Sequence, residues 1–176
     1  MAHLYSVDVE TTGLDPKTCS IVSIGAVDLQ NNDNVFYQEC RVFDGAEIAE
    51  QALKINGFSM EEVLDLNKQT EAEAIFKFFN WLKESPIMVA HNAAFDSSFI
   101  RQAALRAGAK NPFSFRTIDI HSLAYMGMLQ KSLIIPKSLS LNAALEAFGF
   151  DKEPTPHNAL TGAKCNTRLF NQIRRS

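Results

Sequence analysis

The sequence predicts an α/β fold with antiparallel strands first and parallel strands later. Two observations lead there. Three strand-like segments fill the first 43 residues with no helical pattern between them, and beyond Thr70 short apolar runs alternate with stretches whose apolar residues recur at helical spacing. A length of 176 residues suits one domain, 1–176, with a full-sized core, and a hydrophobic content of 46% argues against disorder. With 13 phenylalanines against the single Trp81, phenyl rings are expected to furnish much of that core.

The elements follow in order. His3–Glu10 and Ser20–Leu29 are rich in valine, isoleucine and alternating small residues, as strands are. Asn31-Asn32-Asp33-Asn34 is a turn cluster, and Val35–Phe43 a third strand, so Ile21–Phe43 should be a hairpin. Ala46–Lys54 and Met60–Leu66 read as short helices broken at Asn56-Gly57. Thr70 and Glu73 have capping-box spacing ahead of a helix whose stripe is Ile75, Phe76, Phe79 and Leu82, ended by Pro86. Ile87–Ala90 is a short buried strand. A helix over Asn92–Ala107 turns Phe95, Phe99, Ile100, Ala103 and Ala104 inward and stops at Gly108. Phe115–Ile120 is the last strand. Helices then span His121–Leu129, Leu139–Phe148 and His157–Arg174, with a two-proline loop over Asp151–Pro156.

Composition excludes several classes. A net charge of −3 gives no global basic signal for nucleic acid, although carboxylates gathered at a metal site lower the sum while the metal supplies positive charge locally. Cys19, Cys40 and Cys165 are odd in number, widely spaced and form no CxxC pair, so neither a disulfide framework nor a zinc site is indicated and a cytoplasmic setting is expected. No secretory leader and no apolar run of membrane-spanning length is visible, so no membrane partner is expected.

The chemistry centres on Val7-Asp8-Val9-Glu10-Thr11-Thr12-Gly13-Leu14. Side chains two apart on a strand share a face, so Asp8 and Glu10 project together. Adjacent carboxylates raise each other's pKa unless a cation lies between them, and a hard divalent ion is the simplest such partner. A strand with one polar face in solvent explains these two residues equally well. Gly13 reads as a turn residue free to take a positive φ. Downstream, His91-Asn92-Ala93-Ala94-Phe95-Asp96 follows a short strand and opens a helix, which puts Asp96 in the first helical turn, where simple capping is the rival reading. His157 follows the corner Pro154-Thr155-Pro156. Asp119 ends a strand and reads as the cap of the next helix, outside the site.

Taken together, Asp8-Val9-Glu10-Thr11-Thr12-Gly13, His91-Asn92-Ala93-Ala94-Phe95-Asp96 and His157-Asn158-Ala159-Leu160, in that order, resemble the three motifs of the DEDDh exonucleases, 3′–5′ exonucleases of the ribonuclease H-like fold that include the proofreading subunit of bacterial DNA polymerase III. Ile55-Asn56-Gly57-Phe58 and Leu139-Ser140-Leu141 also look like family features. The resemblance implies a five-stranded mixed sheet with helices on both faces. It makes Asp8 a carboxylate bridging two Mg²⁺ or Mn²⁺ ions, Glu10 and Asp96 further ligands, and His157 the general base. It points to single-stranded nucleic-acid 3′ ends as ligand, DNA by preference, and to a polymerase or other replication or repair partner by analogy alone. Gln51 and Asn56 become candidate contacts to the terminal nucleotide. Thr11, Gly13 and Asn92 complete that set with Leu14, whose side chain serves either as a wedge against a terminal base or as ordinary core.

One position departs from the pattern. Family members carry an aspartate five residues after the motif histidine, as the last metal ligand, and here Gly162 stands in its place. No acidic residue follows it, and the nearest upstream is Glu153. An interior helical glycine costs about 1 kcal/mol relative to alanine, so an aspartate is expected to add helix stability as well as a ligand, although close helix packing can also require glycine. The acid was either removed deliberately or lost naturally. Either way the expectation is an impaired exonuclease holding one ion or none where an intact site holds two, with a catalytically silent end-binding module as the alternative.

Overall fold

Five strands form one mixed sheet in the computed structural model of the chain, which describes residues 3–175. The strands are β1 (His3–Thr11), β2 (Ile21–Asp28), β3 (Val35–Glu39), β4 (Pro86–Ala90) and β5 (Thr117–Asp119), in the spatial order β3-β2-β1-β4-β5. The first three pair antiparallel, and β4 and β5 add in parallel, as the element order foretold. The motif strand β1 is therefore central, and side chains at its C-terminal end face a crevice rather than an edge.

The helices divide between the two faces. On one side α3 (Glu71–Trp81) and α4 (Ala93–Arg106) cover a cluster that includes Val7, Val9, Phe78, Phe99 and Ile100. On the other, α5 (Ile120–Gln130), α6 (Leu141–Ala147) and α7 (Ala159–Arg174) close over Val89, Ile120, Met128, Leu145 and Leu169. Two short helices, α1 (Glu50–Asn56) and α2 (Met60–Leu64), cover a small third cluster around Val22, Leu53 and Val63. The capping box foreseen at Thr70 and Glu73 is formed.

Where boundaries moved, backbone hydrogen bonding gives the reason. The third strand ends at Glu39 rather than Phe43, because the Arg41 and Val42 N–H groups donate to the carbonyls of Gln69 and Val63 instead of continuing the ladder. The first helix starts at Glu50, since the N–H groups of Glu47 and Ala49 are committed to Thr18 and Thr12. In α3 the buried stripe is Ala74, Ile75 and Phe78, and Phe76 faces outward, because Phe78 joins the ring cluster of Phe36, Trp81 and Phe113. The last strand is only Thr117–Asp119, and the exposed Phe115 ring lies under the Arg116 guanidinium.

Two features fix the site's frame. Buried Glu71 receives Arg106 through both carboxylate oxygens, at 2.8 and 2.9 Å, and also accepts from Ser20 Oγ and the Ile21 N–H. This network ties α3 and α4 to the turn between β1 and β2. On the opposite face, Gly25 of β2 pairs in register with Asp8. A Cβ at Gly25 would run into the Ala159 carbonyl and the Leu160 nitrogen, so the first turn of α7 rests directly on the sheet beside Asp8.

Candidate active site

Asp8 and Glu10 project from the α7 face of β1. Ser6, two residues earlier on the same face, donates its hydroxyl to the Ala163 carbonyl of α7 at 2.8 Å. Asp96 arrives from the other side of the strand end. The chain leaves β4 at Ala90, turns through Asn92 in the left-handed region at φ 62°, and starts α4 at Ala93. Asp96 is only 3% exposed and accepts the Val9 N–H at 3.0 Å. Asp96 thus ties its helix to the central strand, while the N-cap position of α4 belongs to Asn92. Asp119, as expected, caps α5 by accepting from the His121 N–H at 2.8 Å.

Gly162 lies against Asp8. A Cβ built on it would sit 2.5 Å from Asp8 Oδ2 and 2.7 Å from Cγ, so the Asp8 carboxylate occupies the space in which a side chain at 162 would begin. His157 lies just ahead of α7, whose cap is Asn158 rather than the histidine. Its N–H donates to the Ile55 carbonyl at 2.9 Å, which joins the approach to α7 to the end of α1. Its ring Nδ1 is 3.7 Å from Oε2 of Glu153.

Glu153 is the residue that sequence reasoning passed over. It stands nine positions before Gly162 and belongs to none of the three motifs. The loop after α6 folds back, however, with the Glu153 N–H donating to Asn142 Oδ1 at 2.7 Å, and the carboxylate reaches the site. The available signal was a glutamate four residues before the motif histidine in a loop too proline-rich to run away from it.

The electrostatics are those of crowded carboxylates. Burial pushes Asp8 well above the usual carboxylate range, and the charges of Asp96, Glu10 and Glu153 push it further. Glu10 is raised to about 8 by burial, then by Glu153 and Asp96. Asp96 is raised to about 7 by burial, against the opposing bond from Val9. A cluster of oxygens that resists ionisation on its own fits a hard divalent cation, which supplies the missing positive charge. The sign of the pH dependence follows. Between the ordinary carboxylate range and about pH 8 the folded chain binds more protons than the unfolded one, so without metal stability is greatest at acid pH and falls as pH rises toward 8. The melting temperature of the metal-free protein should drop between pH 5 and 8, and Mn²⁺ should restore it by replacing the protons. A flat or rising profile without metal would contradict the crowding.

Beside these groups lies a pocket of about 370 Å³ that Glu10, Thr11, Gly13, Leu14, Gln51 and Asn56 help to line. Five of the six candidate substrate contacts thus come together. Asn92 does not join them and instead donates its N–H to Asp119 Oδ1 at 3.2 Å. Leu14 is 85% exposed, which removes the core reading for its side chain. Asn56 is buried and donates to the Thr11 carbonyl at 3.1 Å, bracing the pocket wall. Gly13 does not take a positive φ. It is required because a Cβ there would lie 2.5 Å from Cys19 Sγ.

Comparison with known proteins meets this geometry. The exonuclease family model represented by ribonuclease T matches residues 6–170. The chain is 33% identical over 182 residues to ribonuclease T of Haemophilus influenzae, covering 93% of this chain and 76% of that protein. The chain belongs to the DEDDh-type 3′–5′ exonuclease family. A second family relative, the PolC-type DNA polymerase III of Thermotoga maritima, is 33% identical over 172 residues, which are 96% of this chain and only 12% of the polymerase. Among solved structures, the nuclease domain of 3′hExo, a DEDDh family member bound to rAMP, superposes with a TM-score of 0.75 at 18% identity over 98% of this chain and 90% of that one. Escherichia coli exonuclease I in complex with a dT13 oligonucleotide gives 0.80 at 16% identity, over 99% of this chain but only 41% of the larger one. These exonucleases share the ribonuclease H-like fold. Family membership implies dependence on a divalent metal. Among the described residues no helix is long and apolar enough to cross a membrane.

Proposed function

We propose that residues 1–176 act as one exonuclease domain that removes nucleoside monophosphates from the 3′ ends of single-stranded or frayed nucleic acid, DNA by preference, in the cytoplasm, and that Gly162 impairs it. What supports this reading is that buried Asp8 feels the charges of Asp96, Glu10 and Glu153, and that Glu10 also lines an open pocket. Their donors are all oxygen, which favours Mg²⁺ or Mn²⁺. Bound there, such ions neutralise the phosphodiester and stabilise the leaving 3′ oxygen.

The chain's own residues do the rest. Asp8, Glu10 and Asp96 hold and orient. Leu14 offers an apolar face to a terminal base, and Gln51 and Thr11 offer polar groups to its nucleotide. His157 accepts the proton of the attacking water, the general-base role for which an imidazole nitrogen is suited. As the water oxygen bonds to phosphorus, the bond from phosphorus to the 3′ oxygen breaks and that oxygen is protonated.

Gly162 favours a second reading, an end-binding module that grips without turnover. The deciding experiment is gel analysis of a 5′-labelled single-stranded oligonucleotide incubated with Mn²⁺. Shortening one nucleotide at a time from the 3′ end supports the enzyme. Binding without shortening moves the chain to the second reading, and internal cuts or shortening of a 3′-labelled strand from its 5′ end would overturn the polarity. For Leu14, replacement by alanine should weaken binding of a short oligonucleotide roughly tenfold with little change in melting temperature, since burying a leucine side chain contributes about 1.5–3 kcal/mol and Leu14 buries almost nothing in the free protein. Unchanged affinity would remove Leu14 from the site.

A further inference from the structure

We infer that Glu10, Glu153 and His157 form a second kind of cation position, separate from the Asp8–Asp96 side of the site and suited to a transition-metal ion such as Zn²⁺ rather than to Mg²⁺. One ligand atom from each of the three lies within 4.8 Å of the other two. Donor atoms on one zinc ion, with bonds of about 2.0–2.2 Å, stand roughly 3–4 Å apart, so a small contraction completes the set.

Glu153 supplies the independent observation. It is 8% exposed, and its Oε1 has no hydrogen-bond partner among the described residues. Its Oε2 faces His157 Nδ1 at 3.7 Å, too long for a hydrogen bond. Oε2 is within ion-pair reach of His157, but Oε1 remains a buried carboxylate oxygen without a partner, a desolvation cost that a cation relieves. The backbone of Glu153 is fixed on α6 by Asn142, which brings the residue to the cluster.

The donor types set the selectivity. Two carboxylates and one imidazole, with a position left for water, match a three-ligand zinc site, whereas Mg²⁺ prefers oxygen alone. Glu10 belongs to both positions, so the two kinds of ion compete. A zinc ion on Nδ1 would also tie down the histidine to which proton transfer is assigned. That consequence rests on the proposed exonuclease reading, whereas the cation position does not.

The test is calorimetric titration of the intact chain with Zn²⁺ in excess Mg²⁺, paired with NMR of the His157 ring nitrogens. One Zn²⁺ should bind and shift the His157 Nδ1 resonance. Glu153→Gln and His157→Gln should each weaken Zn²⁺ binding by at least about tenfold, while Asp8→Asn changes it by less than about threefold. His157 is half-exposed, so its replacement spares the core, and it carries the test should Glu153→Gln fail to fold. Zn²⁺ binding that leaves the His157 ring unmoved, that survives His157→Gln, or that is lost in Asp8→Asn as fully as in the other variants would overturn the assignment, as would no binding at all. None of these outcomes depends on nuclease activity, so a chain that binds zinc in this way but cleaves nothing would fail only the exonuclease reading.

Discussion

Replacing Gly162 by aspartate is expected to speed single-turnover degradation of an oligonucleotide by at least about a hundredfold at saturating Mn²⁺, and toward a thousandfold if the restored ligand contributes about 4 kcal/mol to the transition state. The same change is expected to lower the stability of the metal-free protein. Helix propensity alone would favour aspartate over glycine at 162. The contact with Asp8 reverses that expectation, because the new Cβ would begin 2.5 Å from a carboxylate oxygen that must move aside, and a further negative charge would join a crowded cluster. Only a cation between the two carboxylates makes the pair favourable. Gly162→Asp should therefore melt below the parent in chelator and gain more from Mn²⁺ than the parent does. Equal rates for the two proteins would show that 162 is not a ligand position.

Gly25→Ala carries the second large effect. Its Cβ would meet backbone atoms of Ala159 and Leu160, which cannot rotate away as a side chain could, so α7 must lift from the sheet. Overpacking of this kind costs roughly 3 kcal/mol, about 6–12 °C in melting temperature for a chain of this size. The lift also carries Gly162 and His157 away from Asp8, because α7 follows directly from Asn158. Urea denaturation and single-turnover kinetics should fall together. A midpoint equal to the parent's would mean that α7 does not approach β2 as closely as described.

How much of this was legible in the sequence varies with the physics involved. The sequence of elements and the change from antiparallel to parallel strands were, because strand and helix periodicities and the capping box at Thr70 act over a few residues, whereas the helix layers on both faces came from the family resemblance. Asp8, Glu10, Asp96 and His157 were legible as motifs, since each needs one strand end or one helix start. What stayed hidden depends on distant segments meeting. Phe76 and Phe78 are both apolar, and only the ring cluster with Phe36 and Phe113 decides which one turns inward. Gly13 looked like a turn glycine, and only the Cys19 sulfur reveals that space, not backbone angle, requires it. Glu153 is absent from every motif and enters the site solely because its loop is fastened to Asn142. The demand on Gly25 comes from a helix more than 130 residues away in sequence.

The central claim is that the carboxylates converging at the end of β1 hold the divalent ion on which 3′ cleavage depends. Its most direct test is single-turnover release of mononucleotide from a labelled oligonucleotide at saturating Mn²⁺, by the parent and by Asp8→Asn purified in parallel. The neutral amide keeps the shape of the side chain and relieves the crowding, so the variant should fold at least as stably as the parent. Slow but measurable release by the parent, at least about a hundredfold faster than by Asp8→Asn, is the expected result. Release at the same rate from both would contradict the claim.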